Sequence, residues 1–163
     1  MPSLTVLAKR EAMPAPDCIF CRIAAKTIPA EIVFENERLV AFLDIAPIRP
    51  GHVQIVPKDH HATFDDLPPD LLAEIGALAQ RIAKGLKAIY GVERVGFAFT
   101  GTDIAHAHGH VVPLVAKDDL TSRRYIAEEI VTYRNPPRPS ADDVAATGER
   151  IRAALAEQTP RTS

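Results

Sequence analysis

The sequence predicts an α+β fold: an antiparallel sheet of about five strands, one long helix packed on it and a second helix near the C-terminal end. Three observations carry that expectation. Five short segments have strand character, one long segment between the third and fourth has helical period, and the connections are short everywhere except around that helix. A chain of 163 residues, 47% apolar and 25% charged, has the composition and length of one globular domain.

The elements follow in order. Residues 1–16 carry three of the fourteen prolines and no period, and are expected to be a flexible leader. The packed domain is expected over 17–120, with a C-terminal extension over 121–163. EIVFENE (31–37) and LVAFLDI (39–45) are strands joined by a turn at Asn36-Glu37. APIRPG (46–51) is a proline-bracketed loop. HVQIVPK (52–58) alternates, with Val53 and Ile55 on one face and His52, Gln54 and Val56 on the other. From Pro69, the residues Leu71, Leu72, Ile75, Leu78, Ala79, Ile82, Leu86 and Ile89 recur at helical spacing, acidic residues come early and lysines late, and Gly91 ends the run. RVGFAFT (94–100) and IAHAHGHVVPLV (104–115) are two more strands, separated by Gly101-Thr102-Asp103 in a hairpin. The segment 121–135 carries no decisive pattern, and NPPRPS (135–140) is a break. Ser140 caps a last helix through about Glu157, built on Val144, Ile151 and Leu155.

The formal charge of −2 argues against a dedicated nucleic-acid or anionic-membrane binder. No segment approaches the length of a membrane span, and the apolar run before Lys9 is too short for a signal peptide. Two cysteines, Cys18 and Cys21, make no secreted disulfide framework, so a cytoplasmic protein is expected.

The six histidines fall in two clusters, His52, His60, His61 and His106, His108, His110. On a strand, residues 106, 108 and 110 project from one face about 7 Å apart at each step, with small Ala107 and Gly109 opposite, where another element can press close. That makes the histidine face the open one. Three imidazoles in a dry core would each need a partner, so a structural role explains them poorly. They can bind a metal, or handle a phosphoryl or acyl group with one ring as nucleophile and the others as donors. Cys18-x-x-Cys21 has the spacing of half a zinc site, and only histidine is available to complete it. A redox use would need a preceding strand, and nothing before Cys18 resembles one.

The stretch CIFCRIAAKTIPAEIVFENERLVAFLDIAPIRPGHVQIVPKDH, followed by HAHGHVVP, closely resembles the histidine triad family of nucleotide hydrolases and transferases. The resemblance runs from about Asp17 to Pro113, and it implies the histidine triad fold and a set of roles. His108 would attack the α-phosphate of a nucleotide, with its other ring nitrogen held by the carbonyl of His106. His110 and His52 would stand around the phosphate as donors. Asp44 would accept the ribose hydroxyls, and Phe20, Ile23, Phe42 and Ile45 would wall the base, although plain core packing explains Phe42 and Ile45 as well. Cys18, Cys21, His60 and His106 would hold one structural zinc per chain, and the protein would be a homodimer.

One departure stands out. Where many members carry Gly-Gln-Ser before the triad, this chain has Gly101-Thr102-Asp103. Thr102 retains a hydroxyl donor for the phosphate, whereas an ionised Asp103 has none and would either turn away or favour a cationic leaving group. The resemblance implies a purine nucleoside phosphoramidase acting on AMP or GMP conjugates. Alternatives are a dinucleoside polyphosphate hydrolase of the Ap3A or Ap4A type, a nucleotide-binding protein with little turnover, and a zinc hydrolase using His106, His108 and His110.

Overall fold

A computed structural model describes residues 17–100, 104–120 and 137–158. The five expected strands are present: β1 (Ile32–Glu35), β2 (Leu39–Leu43), β3 (Val53–Pro57), β4 (Arg94–Thr100) and β5 (His108–Leu114). They form one antiparallel sheet in the order β1-β2-β3-β5-β4. Asn36 makes the first hairpin, its Oδ1 accepting from the backbone N–H groups of Arg38 and Leu39 at 2.9 and 2.7 Å. The helices are α1 (Ile19–Ala24), α2 (Pro69–Tyr90) and α3 (Ala141–Glu157).

α2 starts with Pro69 in its first turn and ends at Gly91, whose φ of 64° supplies the left-handed cap. Its buried stripe of Leu71, Ile75, Leu78, Ala79, Ile82 and Leu86 packs against Leu39, Ala41, Val53, Ile55 and Val111 in the main core. Each such Leu or Ile contributes about 1.5–3 kcal/mol on burial. Leu72, at the same helical spacing, lies on the exposed side of the stripe. α3 is capped as expected, the Ser140 hydroxyl accepting from the Asp143 N–H at 3.1 Å. Ile151 and Leu155 join the same core, and Arg152 ties the helix to β1 through Glu31 at 2.6 Å and the Ile32 carbonyl at 2.7 Å.

The fold adds one element to those expected and corrects the bounds of another. The six-residue α1 had no sequence signal, since one and a half turns are too few to display a period. It covers the opposite face of the sheet, where Phe20 and Ile23 pack with Val40, Phe42 and Val56. The fifth strand begins at His108, not at residue 104. The residues before it leave the ladder: the Ala107 N–H donates to the His61 carbonyl at 2.6 Å, and the His106 N–H to the Ile104 carbonyl at 2.8 Å. The β4–β5 connection is therefore 101–107 rather than three residues.

The loop 46–51 is held from two sides. The Arg49 guanidinium pairs with Asp119 Oδ1 at 2.6 Å, while Asp119 Oδ2 accepts from the N–H groups of Val115 and Ala116 just past β5. At its end Gly51 has φ +88° under the Tyr90 ring, and a Cβ there would lie 2.5 Å from Tyr90 Cε2. Gly51→Ala should therefore destabilise the fold by about 2 kcal/mol or more, read as a lower urea midpoint at an unchanged slope. A midpoint equal to wild type would show that the loop relaxes without strain.

Candidate functional site

The strand register places the site. On the α1-covered face, β2 presents Val40 and Phe42, β3 presents Val56 and Gln54 with His52 just before it, β5 presents His108 and His110, and β4 presents Ala98 and Thr100. Phe42 lies opposite Gln54, Gln54 opposite His110, and His108 opposite Thr100. On the other face Gly109 lies against α2 and β4, its missing Cβ position being 2.7 Å from Phe97 Cε2 and 3.7 Å from Ile75 Cγ2. Gly109, between His108 and His110, does serve a close approach, as expected, whereas Ala107 lies before the strand.

The face is less open than expected. His106 is fully buried and His108 is 5% exposed. The Phe20 ring of α1 stands edge-on to both, 5.9 and 5.0 Å between centroids. Only His110 of the three is partly exposed.

Partners that can only donate or only accept fix the tautomers. The His106 carbonyl accepts from His108 Nδ1 at 2.5 Å, so in the neutral ring the lone pair of His108 is on Nε2. The Ile48 N–H donates to His52 Nδ1 at 3.3 Å, so His52 Nε2 carries the proton and donates to His110 Nδ1 at 2.9 Å. His110 Nε2 then donates to the Thr100 hydroxyl at 2.8 Å, and that hydroxyl has its own proton for His108 Nε2, 3.3 Å away. Every bond in the chain runs one way and ends on the lone pair of His108.

Burial keeps His52, His106 and His110 neutral. It pushes His110 down to about 4, helped by neighbouring His52 and His108 and opposed by Asp44. His106 is likewise pushed down to about 4, chiefly by burial, and His52 is lowered by burial against the opposing pull of Asp44. Asp44 follows β2, with Oδ1 accepting from the Ala46 N–H at 2.7 Å and Oδ2 from Gln54 Nε2 at 2.5 Å. Its Oδ2 is 3.7 Å from His52 Nδ1. Of the expected base wall, Phe20, Ile23 and Phe42 are buried together, whereas Ile45 is 64% exposed on the loop.

Cys18, Cys21, His60 and His106 converge on one point. Cys18 Sγ is 3.3 Å and Cys21 Sγ 3.5 Å from His106 Nδ1, and Cys21 Sγ is 3.3 Å from His60 Nδ1. Sulfur and nitrogen on a tetrahedral zinc stand about 3.6 Å apart, so the set has the right size. The tautomer is right too: His106 Nε2 donates to the Pro57 carbonyl at 3.0 Å, leaving the Nδ1 lone pair for a metal. Among the described residues, the only other convergent group is Asp44, His52 and His110. His106, His108 and His110 do not form a metal trio, because His106 turns toward the cysteines and His108 Nδ1 is taken by a carbonyl.

Thr102 and Asp103 lie outside the described residues. Thr100 was missed in the sequence: being opposite His108 would have revealed it, but that register depends on where β5 begins. The polar position of Gln54 amid Val53, Ile55 and Val56 was visible, though its link to Asp44 was not.

Comparison with known proteins agrees with this geometry. The family model described as HIT domain matches residues 25–116. A HIT-like protein of Mycobacterium tuberculosis is 34% identical over 146 residues, covering 86% of this chain and 94% of its own. The adenosine 5′-monophosphoramidase of Saccharomyces cerevisiae is 36% identical over 97 residues, 59% of this chain and 61% of its own. The crystal structure of a zinc-bound histidine triad family protein from Mycobacterium smegmatis superposes with a TM-score of 0.68 at 29% identity, covering 86% of this chain and 94% of that one.

The depressed His110 gives a pH test. The unfolded ring titrates near 6.5 and the folded one near 4, so between these values the unfolded state binds more protons. The stability contribution is present above pH 6.5 and is lost as pH falls toward 4. His110→Gln should show a shallower loss over that window than wild type, in urea midpoints measured at a series of pH values. Parallel curves would mean that His110 is not held neutral in the fold.

Proposed function

Because the chain belongs to the histidine triad family, we propose that it is a nucleotide hydrolase that cleaves a nucleoside 5′-monophosphate from its leaving group through a covalent intermediate on His108. The observation that carries this reading is the single lone pair at His108 Nε2, with Nδ1–H on the His106 carbonyl and the ring flanked by Thr100 and His110. Nε2 attacks the α-phosphorus, a P–N bond forms and the bond to the leaving group breaks. His110 Nε2–H, backed by His52 and reaching His108 through the Thr100 hydroxyl, is the donor for the charge and the proton involved. Water then cleaves the P–N bond, releasing the monophosphate and restoring His108.

The purine nucleoside phosphoramidase reading is supported by the likeness to the yeast adenosine 5′-monophosphoramidase. In this reading Asp44 takes the ribose hydroxyls, Phe20, Ile23, Phe42 and Ile45 wall the base, and the Thr102 hydroxyl serves the phosphate. We further propose a structural zinc on Cys18, Cys21, His60 and His106, whose four protein ligands leave no position for water. Bound there, it would tie the α1 segment to the chain entering β5. A reducing cytoplasm suits such thiolate ligands. A homodimer would cover the outer edge of β4, where Phe97 is 44% exposed. Among the described residues no helix is long and apolar enough to cross a membrane.

Two outcomes are expected. His108→Ala should fold normally and lose turnover of an AMP phosphoramidate by roughly 10³-fold or more. Wild type quenched during turnover should carry a nucleotide adduct on His108 by mass spectrometry, and an adduct on another residue would overturn the assignment. Purified wild type should contain about one zinc per chain, and Cys18→Ser with Cys21→Ser should abolish it. That double variant should melt at lower temperature yet keep measurable activity in the cold. Complete loss of catalysis in a folded, zinc-free variant would instead make the metal catalytic.

A further inference from the structure

Gln54 is a polar residue in the middle of a strand that is buried throughout, flanked in sequence by Val53 and Ile55 and paired across strands with Phe42 and His110. It is 9% exposed. Its Oε1 is the one fully buried side-chain oxygen or nitrogen among the described residues that has no hydrogen-bond partner. A buried acceptor left in that state is costly, and an apolar side chain of the same size would avoid it. Packing alone therefore does not account for an amide at this position.

The other end of the amide does. Nε2 donates to Asp44 Oδ2 at 2.5 Å. The opposite orientation would set a carbonyl oxygen against a carboxylate oxygen at that distance, so the nitrogen must face Asp44. With the Ala46 N–H on Oδ1, the carboxylate is gripped once on each oxygen, and its plane is fixed. Each oxygen keeps a further lone pair. Such a pair of acceptors fits two neighbouring hydroxyls, the diol of a ribose, and is half used by a deoxyribose.

We propose that Gln54 is a positioning residue for nucleotide recognition, holding the Asp44 carboxylate so that it receives both ribose hydroxyls and selects ribonucleotides over deoxyribonucleotides. This rests on the reading of Asp44 as the ribose acceptor. In this role the amide acts through Asp44, and its unpartnered oxygen is the cost of that arrangement.

The test uses the full chain, with AMP and 2′-deoxy-AMP as probes in titration calorimetry. Gln54→Met keeps the length and removes both polar ends; Gln54→Leu is the second variant. The affinity ratio of AMP to 2′-deoxy-AMP should fall about fivefold in either, the size of one ordinary hydrogen bond. The kcat for an AMP phosphoramidate should stay within about threefold, and the melting temperature should not drop, because an unpartnered acceptor has gone. An unchanged ratio, or failure of both variants to fold, would make Gln54 a packing residue and overturn the proposal. Asp44→Asn, measured in parallel, separates the two levels. If it abolishes the wild-type preference while Gln54→Met keeps it, only the role of Gln54 fails; if Asp44→Asn keeps the preference, the ribose role of Asp44 fails and the proposal goes with it.

Discussion

The site depends on His106 more than on any other residue. Its Nε2 is anchored on the Pro57 carbonyl, its Nδ1 faces Cys18 and Cys21, and its own carbonyl holds the ring of His108. One fully buried residue thus joins the end of β3, the cysteine cluster and the proposed nucleophile. The tautomer at each point follows from the one before: a ring that must donate to Pro57 can only present a lone pair to the thiols. Disturbing any one of the three partners would be felt at the other two.

The early end of β5 makes this possible. In a regular ladder the carbonyl of residue 106 would lie in the sheet plane and bond to a neighbouring strand. Because β5 begins at His108, that carbonyl is released from the ladder and can accept from a side chain two residues on. Backbone pairing is recovered elsewhere, the Ala107 N–H going to the His61 carbonyl. An alternating His-x-His-x-His pattern suggests a strand throughout, and here it is a strand only from its second histidine onward.

That difference explains what could be read from the residues. Alternation in β3, the helical period of α2, the Ser140 cap and the small residues behind the histidines were all legible, because each expresses a local rule. The cysteine pair pointed to histidine as the ligand type that completes it, whereas the choice of His60 and His106 came from the family resemblance and not from the spacing. The rest depended on relations between segments. Six residues of α1 show no period, yet they bring the Phe20 ring edge-on to both His106 and His108. Thr100 meets His108 only through a register set by where β5 starts, and Gln54 meets Asp44 across two strands.

The electrostatics of the face point the same way as its geometry. Burial holds His110 and His52 neutral, and the neighbouring His52 and His108 rings add to the cost of charging His110. An anionic phosphate brought against His110 Nε2 would reverse that balance, since it carries opposite charge and accepts hydrogen bonds. Protons that burial disfavours would then be stabilised at the rings nearest the phosphate, while His108, with Nδ1 committed to a carbonyl, keeps its lone pair on Nε2. Neutrality without ligand and readiness to donate with it arise from the same burial, and neither requires a metal at the reacting atoms.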